Sequence, residues 1–410
     1  MFPSLAHLDR YYNEGTRAYS DQSAYTEAQT QFQPNSATPC FDLTLFALDC
    51  EQVHTYTANP DPALLDFYMP GDNKILFCIH PQVLQTLDND AYLRIVKNYG
   101  TRLQPLCVEP SSSTRTLYVK HSGLPPHAAK VHFPFKVSRY SRKMRDEVIE
   151  QAINVSHELE QSIPSLDTQF AFLREVIGVS IKKTALHDET VKTREQWGYL
   201  IREMTPFPPC PGKQKFLIPG FALYGTQTFN PEKKPLLLDL IDTCSPSQYL
   251  LDNIMFPIIR HWIECFLQLG YMLEPHGQNI LLEVSDTGHI QRIVHRDLSV
   301  GIDMRRRRDR GISSDTCNMY NRMESGEFLS ITYDMFMGHH FFEPLIQCAQ
   351  HYFPDLKLMD FQASCKEYFV DFFPEHDLYM PKTIYYFSSK RDQFNKPLYK
   401  NTGKKPTWRP

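Results

Sequence analysis

The sequence predicts an α+β fold, because strand patterns dominate the first half of the chain and helical patterns the second. Short apolar runs at 43–48 and 75–79 lie between turn-forming residues, which is typical of strands. Apolar residues recur at helical spacing over 250–273, and a segment dense in Phe and Tyr follows residue 330. We therefore expect a β-rich first part and a mainly helical second part.

The start of the chain predicts an extended arm. Residues 19–39 are rich in Ser, Thr and Gln and lack apolar periodicity. The packed chain is expected to begin near Phe41. Further strands are expected at 117–120 and 131–137.

Helices and a break are expected in the middle of the chain. Ser138 is placed to be the N-cap of a helix whose apolar residues recur at helical spacing as far as Leu159. A second helix is expected over 167–179. The Pro-rich segment 205–219 then interrupts regular structure and is expected to mark the edge of a subdomain.

Charge and composition exclude several classes of protein. The 410 residues include 43 Lys and Arg against 47 Asp and Glu, and this net charge of −4 is too small for a protein that mainly coats nucleic acid or an anionic membrane. No apolar run reaches the ~18 residues of a membrane span, and no export signal of the usual kind is present. Ten cysteines are spread singly, without zinc spacing. We expect a cytoplasmic protein with reduced cysteines that binds neither nucleic acid nor a membrane.

Two apolar runs around a Ser-Asp-Thr-Gly turn predict a β-hairpin near 280–297. A centre at residue 288 places Asn279 opposite Asp297 at the open end of this hairpin. Three further polar side chains belong to the same end: His276, Gln278 and Arg296. Carboxylate and amide oxygens suit Mg²⁺, and a guanidinium suits phosphate. The alternative is that these are ordinary strand-end residues that satisfy their own backbone.

A second group of residues lies upstream and favours an anion. A hydroxyl-rich segment at 111–116 precedes a strand, and Lys130, Ser138 and Arg142 follow it. If Ser138 caps a helix, the free N–H groups of the first turn and Arg142 form an anion-binding end that Lys130 could reach. The alternative is a hydroxyl-rich loop followed by a solvated basic face.

Two other motifs carry less information. His295-Arg296-Asp297-Leu298 is similar to part of a protein-kinase catalytic loop, but Ile302 stands where that loop needs Asn. The run of arginines at 305–308 is short and lacks interleaved aromatic residues, so we interpret it as a charged loop.

Five blocks, taken in chain order, resemble the motifs of one enzyme family. They are Cys78-Ile-His-Pro-Gln82, Ser112-Ser-Thr-Arg-Thr116, the spaced set Lys130, Ser138 and Arg142, then Glu274-Pro-His-Gly-Gln-Asn279, and finally Arg296-Asp297. The family is that of the NRPS-independent siderophore synthetases of the aerobactin-synthetase type. The Glu-x-His-x-Gln-Asn block is the most specific. The chain departs from the family pattern where Trp is lost from the first block and where Ser138 replaces Thr.

The resemblance implies a cupped-hand architecture. Residues 41–240 would form β-rich fingers and residues 241–410 a mainly helical palm, preceded by a polar arm at 1–40. ATP would lie between fingers and palm. An N-terminal thumb with a His-Pro-x-His-Pro block has no counterpart in this sequence. We therefore expect a reduced or absent thumb, with a homodimer or a partner chain as the possible source of that region.

The resemblance also assigns roles to individual residues. The cofactor-binding set is Ser113, Arg115, Lys130, Ser138, Arg142, His276, Gln278, Asn279 and Asp297. Within it, the expected catalytic residues are Lys130, Arg142 and His276, and the expected Mg²⁺ ligands are Asn279 and Asp297. Glu274 is expected to orient the loop.

The implied reaction is an ATP- and Mg²⁺-dependent ligation in siderophore biosynthesis, and so in iron acquisition. A carboxylic acid, citrate or a related one, would attack the α-phosphate of ATP to form an acyl-adenylate, and an amine or alcohol would then displace AMP. Two alternatives stay open at this point. One is a small-molecule phosphotransferase, and the other is a non-catalytic member of the family that binds a nucleotide or regulates a partner.

Overall fold

The computed structural model describes residues 2–16, 25–87, 90–138, 140–167, 169–183, 197–210, 215–317, 321–391 and 397–410. Its helices are α1 (Leu5–Tyr11), α2 (Pro62–Tyr68), α3 (Pro81–Thr86), α4 (Ala91–Tyr99), α5 (Asp146–Ser162), α6 (Pro246–Leu250), α7 (Phe256–Leu269), α8 (Met304–Asp309), α9 (Glu327–Ser330), α10 (Glu343–Tyr352) and α11 (Leu358–Phe372). Its strands are β1 (Phe41–Asp49), β2 (Val53–Thr57), β3 (Lys74–Ile79), β4 (Thr101–Arg102), β5 (Leu106–Pro110), β6 (Thr116–Val119), β7 (His127–Val131), β8 (Phe133–Val137), β9 (Tyr140–Arg142), β10 (Ala171–Phe172), β11 (Glu175–Ile181), β12 (Gly198–Glu203), β13 (Lys215–Pro219), β14 (Tyr271–Met272), β15 (Ile280–Ser285), β16 (Ile290–His295), β17 (Gly301–Asp303), β18 (Arg322–Met323), β19 (Tyr385–Arg391) and β20 (Pro397–Asn401).

Nine strands of the first half form one antiparallel sheet, which we call the large sheet. Its order is β2-β11-β12-β7-β6-β5-β1-β3, with β4 beside β1. The strands predicted at 43–48, 75–79, 117–120 and 131–137 are present as β1, β3, β6 and β8. The predicted α+β fold class is therefore confirmed in its β-rich first part.

Helix α5 packs closely on the large sheet because two strand positions are glycines. A Cβ atom at Gly178 of β11 or at Gly198 of β12 would meet the side chain of Ile149 in α5. Ile149 is fully buried. The missing side chains thus let the helix approach the sheet at van der Waals distance.

The second half surrounds a four-stranded sheet, the small sheet, of order β10-β16-β15-β13. A π-helical stretch, Leu251–Met255, joins α6 to α7, and another, Ile331–Phe342, joins α9 to α10. The core here is aromatic: Trp262 lies 5.0 Å from Tyr333, whose ring lies 4.6 Å from that of Phe369, measured between ring centroids. The predicted helical second half is confirmed, and a β19–β20 hairpin is added to it.

The N-terminal segment is packed, so the expectation that the packed chain begins near Phe41 is wrong. Leu8 and Asp9 of α1 have no exposed surface. Arg10 donates hydrogen bonds to four backbone carbonyls of the segment 34–39, at 2.6 to 3.2 Å. A short helix with one buried face was hidden in the sequence by the polar residues after it. Residues 17–24 of the predicted arm lie outside the described residues.

Two helix predictions are corrected. Ser138 is not an N-cap: α5 begins at Asp146 with Arg145 as its N-cap, and Ser138 follows β8 with φ of 61°. The helix expected over 167–179 is instead β10 and β11. All seven residues of β11 are buried, and a strand covered on both faces lacks the alternation that identifies strands in a sequence.

The Pro-rich segment expected to interrupt regular structure is partly regular. Its last residues form β13, which pairs with β15 in the small sheet. Residues 211–214 lie outside the described residues.

The predicted hairpin is present as β15 and β16, but its register differs by one residue. Ile280 pairs with His295, so Asn279 faces Arg296 and not Asp297. The backbone N–H of Arg296 donates to the carbonyl of Asn279 at 2.9 Å. The turn end pairs Val284 with Ile290, so the turn is centred near residue 287 and not 288. A bulge that places Gln291 outside the pairing then shifts the register by one residue toward the predicted one, which leaves a difference of one.

The arginine run at 305–308 is a helix with paired charges, not a charged loop. Each arginine faces a carboxylate within 4 Å: Asp303, Glu375, Glu158 and Glu324 in turn.

Among the described residues, no helix has both the length and the apolar character needed to cross a membrane.

We predict that Gly178→Ala destabilises the protein by about 1–3 kcal/mol, because the added methyl group would overpack Ile149. Urea unfolding followed by circular dichroism measures this change. The control is Gly123→Ala, whose Cβ would lie 3.3 Å from the exposed His121 ring, and we expect it to change stability by no more than about 0.5 kcal/mol. An unchanged free energy of unfolding in Gly178→Ala would contradict the close packing of α5.

Candidate functional site

Two neighbouring cavities lie between the large sheet and the open end of the β15–β16 hairpin. The charged cavity measures about 40 Å³ and is lined by Ser111, Ser113, Arg115, Thr116, Lys130, Arg142, Arg202, Gln278, Asn279, Arg296 and Asp297. The aromatic cavity measures about 240 Å³. Arg142 and Gln278 line both, so the two cavities adjoin. All nine residues expected in the site line one cavity or both; Ser138 and His276 line the aromatic one.

An ion pair between the two sheets forms one wall of the charged cavity. Lys130 of β7 donates from Nζ to Oδ1 of Asp297 at 2.6 Å. The lysine side chain is 1% exposed, whereas that of Asp297 is 32% exposed. Burial alone would raise the pKa of Asp297, but the positive charges of Lys130, Arg202 and Arg115 outweigh it and hold this pKa well below its usual range. Asp297 is therefore an ionised carboxylate that is held by lysine and open to the cavity.

Three arginines from the fingers-like half surround this ion pair. Arg115 donates from Nη1 to the carbonyl of Lys143 at 3.1 Å. Burial and the charge of Arg142 lower the pKa of Arg115 to about 10, so it stays charged at neutral pH. Arg202 is paired with the fully buried Glu175. The sequence reasoning missed Arg202, although its signal is visible in retrospect as a cation inside the apolar strand β12.

The hydroxyl-rich segment forms a tight turn at the edge of the charged cavity. Ser113 Oγ donates to Thr116 Oγ1 at 3.1 Å, and Thr114 adopts a φ of 69°. The hydroxyl of Ser112 accepts a hydrogen bond from Nε2 of Gln278 at 2.9 Å. The turn thus connects the large sheet directly to the hairpin loop.

The aromatic cavity combines rings with a few ionisable groups. Five aromatic side chains line it: Phe221, Tyr224, Phe336, Tyr386 and Phe387. Burial and the neighbouring His340 lower the pKa of His276 to about 3, so the His276 ring is neutral at neutral pH. Nδ1 of His276 accepts from the backbone N–H of Gln278 at 3.3 Å. In a neutral ring the proton then lies on Nε2, which is left as a donor.

Glu274 lines the same cavity and titrates near neutrality. Burial and the negative charge of Asp297 raise the pKa of Glu274 to about 7, against the opposing effect of Lys130.

The His-Pro block lies outside these two cavities. His80 is fully buried, and its Nδ1 accepts from the backbone N–H of Gln82 at 3.2 Å as the N-cap of α3. His80 lines neither of the two cavities.

Asn279 and Asp297 are the expected Mg²⁺ ligands, and both line the charged cavity. One carboxylate and one amide oxygen suit this hard cation when water and phosphate oxygens complete its shell. No group of three or more His, Cys, Asp or Glu side chains in the described part of the chain could hold a metal ion. The donor set therefore fits a cation that arrives with a phosphate ligand.

The pKa of Glu274 leads to a prediction about stability. A raised pKa means that protonated Glu274 favours the folded state below about pH 4.5, the usual range of the group, and that this contribution is lost as the pH rises through about 7. We predict that the free energy of unfolding of the native chain falls between pH 5 and pH 8 by about 1–3 kcal/mol more than that of Glu274→Gln. Urea unfolding at both pH values measures the difference. The exposed Glu51→Gln is the control, and identical pH dependence in all three proteins would contradict the prediction.

Two family descriptions match different parts of the chain. Residues 22–224 match the IucA / IucC family, and residues 255–356 match the ferric iron reductase FhuF-like transporter family. No curated protein matches the sequence.

Several solved structures have a similar fold. The petrobactin biosynthesis protein AsbB from Bacillus anthracis str. Sterne aligns with a TM-score of 0.68 and 15% identity, over 94% of this chain and 71% of AsbB. Aerobactin synthetase IucC from a hypervirulent Klebsiella pneumoniae aligns at 0.64 and 16% identity, over 89% of this chain and 67% of IucC. ATP-bound aerobactin synthetase IucA from the same source aligns at 0.65 and 14% identity, over 90% of this chain and 71% of IucA.

At these identities the likeness to solved structures concerns the fold, and the family match supports it independently. Both agree with the ordered motifs of the sequence. The resemblance is therefore confirmed: residues 22–224 match the IucA / IucC family, and the chain has an α+β fold similar to that of the NRPS-independent siderophore synthetases of the aerobactin type.

Proposed function

We propose that this chain is an ATP- and Mg²⁺-dependent ligase that adenylates a carboxylic acid and joins it to an amine or alcohol. The observation that carries the proposal is the composition of the charged cavity. Among the described residues, five cationic side chains and one carboxylate line it: Arg115, Lys130, Arg142, Arg202, Arg296 and Asp297. The buried carboxylates of Glu175 and Asp9 pair with Arg202 and Arg296, so five cations stand against three carboxylates and two positive charges remain in excess. This excess favours an anion such as a triphosphate.

The proposed reaction has two steps. A carboxylate oxygen of the acid attacks the α-phosphorus of ATP, the bond to the bridging oxygen breaks, and pyrophosphate leaves with the bonding electrons. The amine or alcohol then attacks the acyl carbon, AMP leaves, and the nucleophile loses a proton to solvent or to a nearby base. Negative charge at the α-phosphorus grows in the first step, so fixed cations there lower its barrier.

Side chains at the boundary of the cavities are proposed to act on the reacting phosphate. Arg142 lines both cavities and is our candidate for the α-phosphate. Nε2 of the neutral His276 would donate a hydrogen bond to a phosphate oxygen without adding charge. Lys130 would contact the phosphates and at the same time keep Asp297 oriented. Ser113, Arg115 and Ser138 supply further donors, and Gln278 positions the loop.

Mg²⁺ would be held by Asn279 and Asp297, and when bound it neutralises charge along the triphosphate. The aromatic cavity offers flat apolar surfaces beside the charged one, which suits a purine base or the hydrocarbon part of a substrate. IucA and IucC are aerobactin synthetases, and AsbB is a petrobactin biosynthesis protein. The similarity to them supports citrate or a related acid as the first substrate to test. A cytoplasmic site of action, where ATP is available, belongs to the same proposal.

We predict that the chain releases AMP and pyrophosphate from Mg²⁺·ATP when citrate or another di- or tricarboxylate is present, and forms a hydroxamate when hydroxylamine is added. Arg142→Ala and Asp297→Ala should each lower the rate by about 100-fold or more, because the first removes a cation beside the α-phosphate and the second removes a ligand of the proposed Mg²⁺. Arg308→Ala and Asp371→Ala are matched controls on exposed helical positions and should leave the rate unchanged. Product chromatography and a pyrophosphate assay measure the outcome.

The product separates the proposal from its alternatives. Carboxylate-dependent ADP in place of AMP would show a phosphotransferase. ATP binding without turnover over a broad panel of acids and amines would show a non-catalytic member. Full activity in both Arg142→Ala and Asp297→Ala would contradict the assignment of the site.

A further inference from the structure

A buried carboxylate from the N-terminal helix reaches the rear of the candidate site. Asp9 of α1 has no exposed surface and lines neither cavity. Its Oδ1 accepts hydrogen bonds from Ser112 Oγ at 3.0 Å and from Arg296 Nη2 at 2.8 Å. Its Oδ2 accepts from the Tyr118 hydroxyl at 2.8 Å and from Arg296 Nη1 at 3.1 Å. Asp9 therefore binds Arg296 with both carboxylate oxygens and, through Ser112 and Tyr118, connects it to the large sheet.

Two of the three partners of Asp9, Arg296 and Ser112, hold the same loop residue. Arg296 donates from Nε to the carbonyl of Gln278 at 2.6 Å, and Ser112 accepts from the Gln278 side chain at 2.9 Å. The backbone N–H of Arg296 also donates to the carbonyl of Asn279 at 2.9 Å. One carboxylate thus fixes, through two intermediaries, the backbone and the side chain of the loop that lines the charged cavity.

Arg296 also fixes the backbone position from which Asp297 extends. Asp297 adopts a φ of 78°, a left-handed conformation that costs a non-glycine residue about 1 kcal/mol or more. It is held on one side by the peptide bond to Arg296 and on the other by Lys130. A displaced Arg296 would therefore move the carboxylate that faces the cavity.

Charge makes Asp9 hard to replace. The guanidinium of Arg296 is 4% exposed, and burial would lower its pKa, but Asp9 and Tyr118 outweigh burial and raise it. A buried cation that loses its carboxylate is strongly destabilised and seeks another anion. Among the described residues, Asp297 is the carboxylate that lines the charged cavity. Without Asp9, Arg296 would compete with Lys130 for it.

We propose that Asp9 is a positioning residue of the active site: it holds Arg296 so that Gln278, Asn279 and Asp297 face the charged cavity. The effect of Asp9 on catalysis rests on the proposed function. Its effect on the geometry of the loop can be tested without turnover.

The test is Asp9→Asn in the full chain, which keeps the shape of the side chain and removes its charge. We predict that the Kd of Mg²⁺·ATP, measured by calorimetry at a temperature where the variant is folded, rises by about 10–100-fold. Backbone amides at 276–279 and 296–298 should exchange faster, whereas those of α7 should not. A merely structural role would lower the folded fraction and leave the Kd of the folded protein unchanged.

Glu283→Gln is the matched control. It breaks another buried carboxylate–guanidinium pair, with Arg292, in the same hairpin but on its distal part, and it lines neither cavity. We expect an unchanged Kd. If Asp9→Asn does not fold, Tyr118→Phe is the second variant. It removes the hydrogen bond that Tyr118 donates to Asp9 and the one that it accepts from Arg296 Nη1, and it keeps both charges. A rise in Kd of about 2–5-fold is expected from this loss.

The inference is overturned if a folded Asp9→Asn variant, or Tyr118→Phe in its place, leaves either the Kd or the amide exchange of 276–279 and 296–298 unchanged, or if Glu283→Gln has the same effect on Kd. If the native chain does not bind Mg²⁺·ATP, the proposed function fails. Amide exchange alone then decides the role of Asp9.

Discussion

The ion pair between Lys130 and Asp297 is the constraint on which the arrangement of the two halves depends. Lys130 lies on β7, between β6 and β12, and is 1% exposed. An ammonium group in that position is unstable without an anion within reach. Asp297, just beyond the open end of the hairpin, supplies such an anion, and the small sheet meets the large sheet at this strand. Because Asp297 keeps part of its surface toward the cavity, the contact that joins the sheets also forms the wall of the site.

A second ion pair begins one residue earlier. Arg296 and Asp297 follow the end of β16, and Arg296 contacts Asp9 of α1 and Tyr118 whereas Asp297 contacts Lys130. The dipeptide thus connects the N-terminal helix, the large sheet and the small sheet. Because it belongs to both pairs, we expect the wall of the charged cavity to move as a unit, and a change at α1 to be felt at Asp297.

The site was predictable where its residues lie close in sequence, and the rest depended on long-range contacts. The hairpin and its loop residues follow from local patterns, and the ordered motifs placed all nine site residues at two adjoining cavities. Asp9 could not be found in this way, because 287 residues separate it from Arg296. The sequence does not distinguish β11 from a helix, because this strand is buried on both faces. The hairpin register differs from the prediction because the turn is centred near residue 287, one residue before the predicted centre, and the bulge corrects only part of that offset.

The two cavities differ in the chemistry that they can hold, and this difference locates the reacting atom of the proposed reaction. A triphosphate needs the cations of the charged cavity, whereas a base or hydrocarbon chain needs the rings of the aromatic one. The atom between these two parts of a nucleotide is the α-phosphorus. Arg142 and Gln278 are the residues that both cavities share. In the proposed reaction the new bond therefore forms beside the Arg142 guanidinium and next to the loop that Arg296 holds.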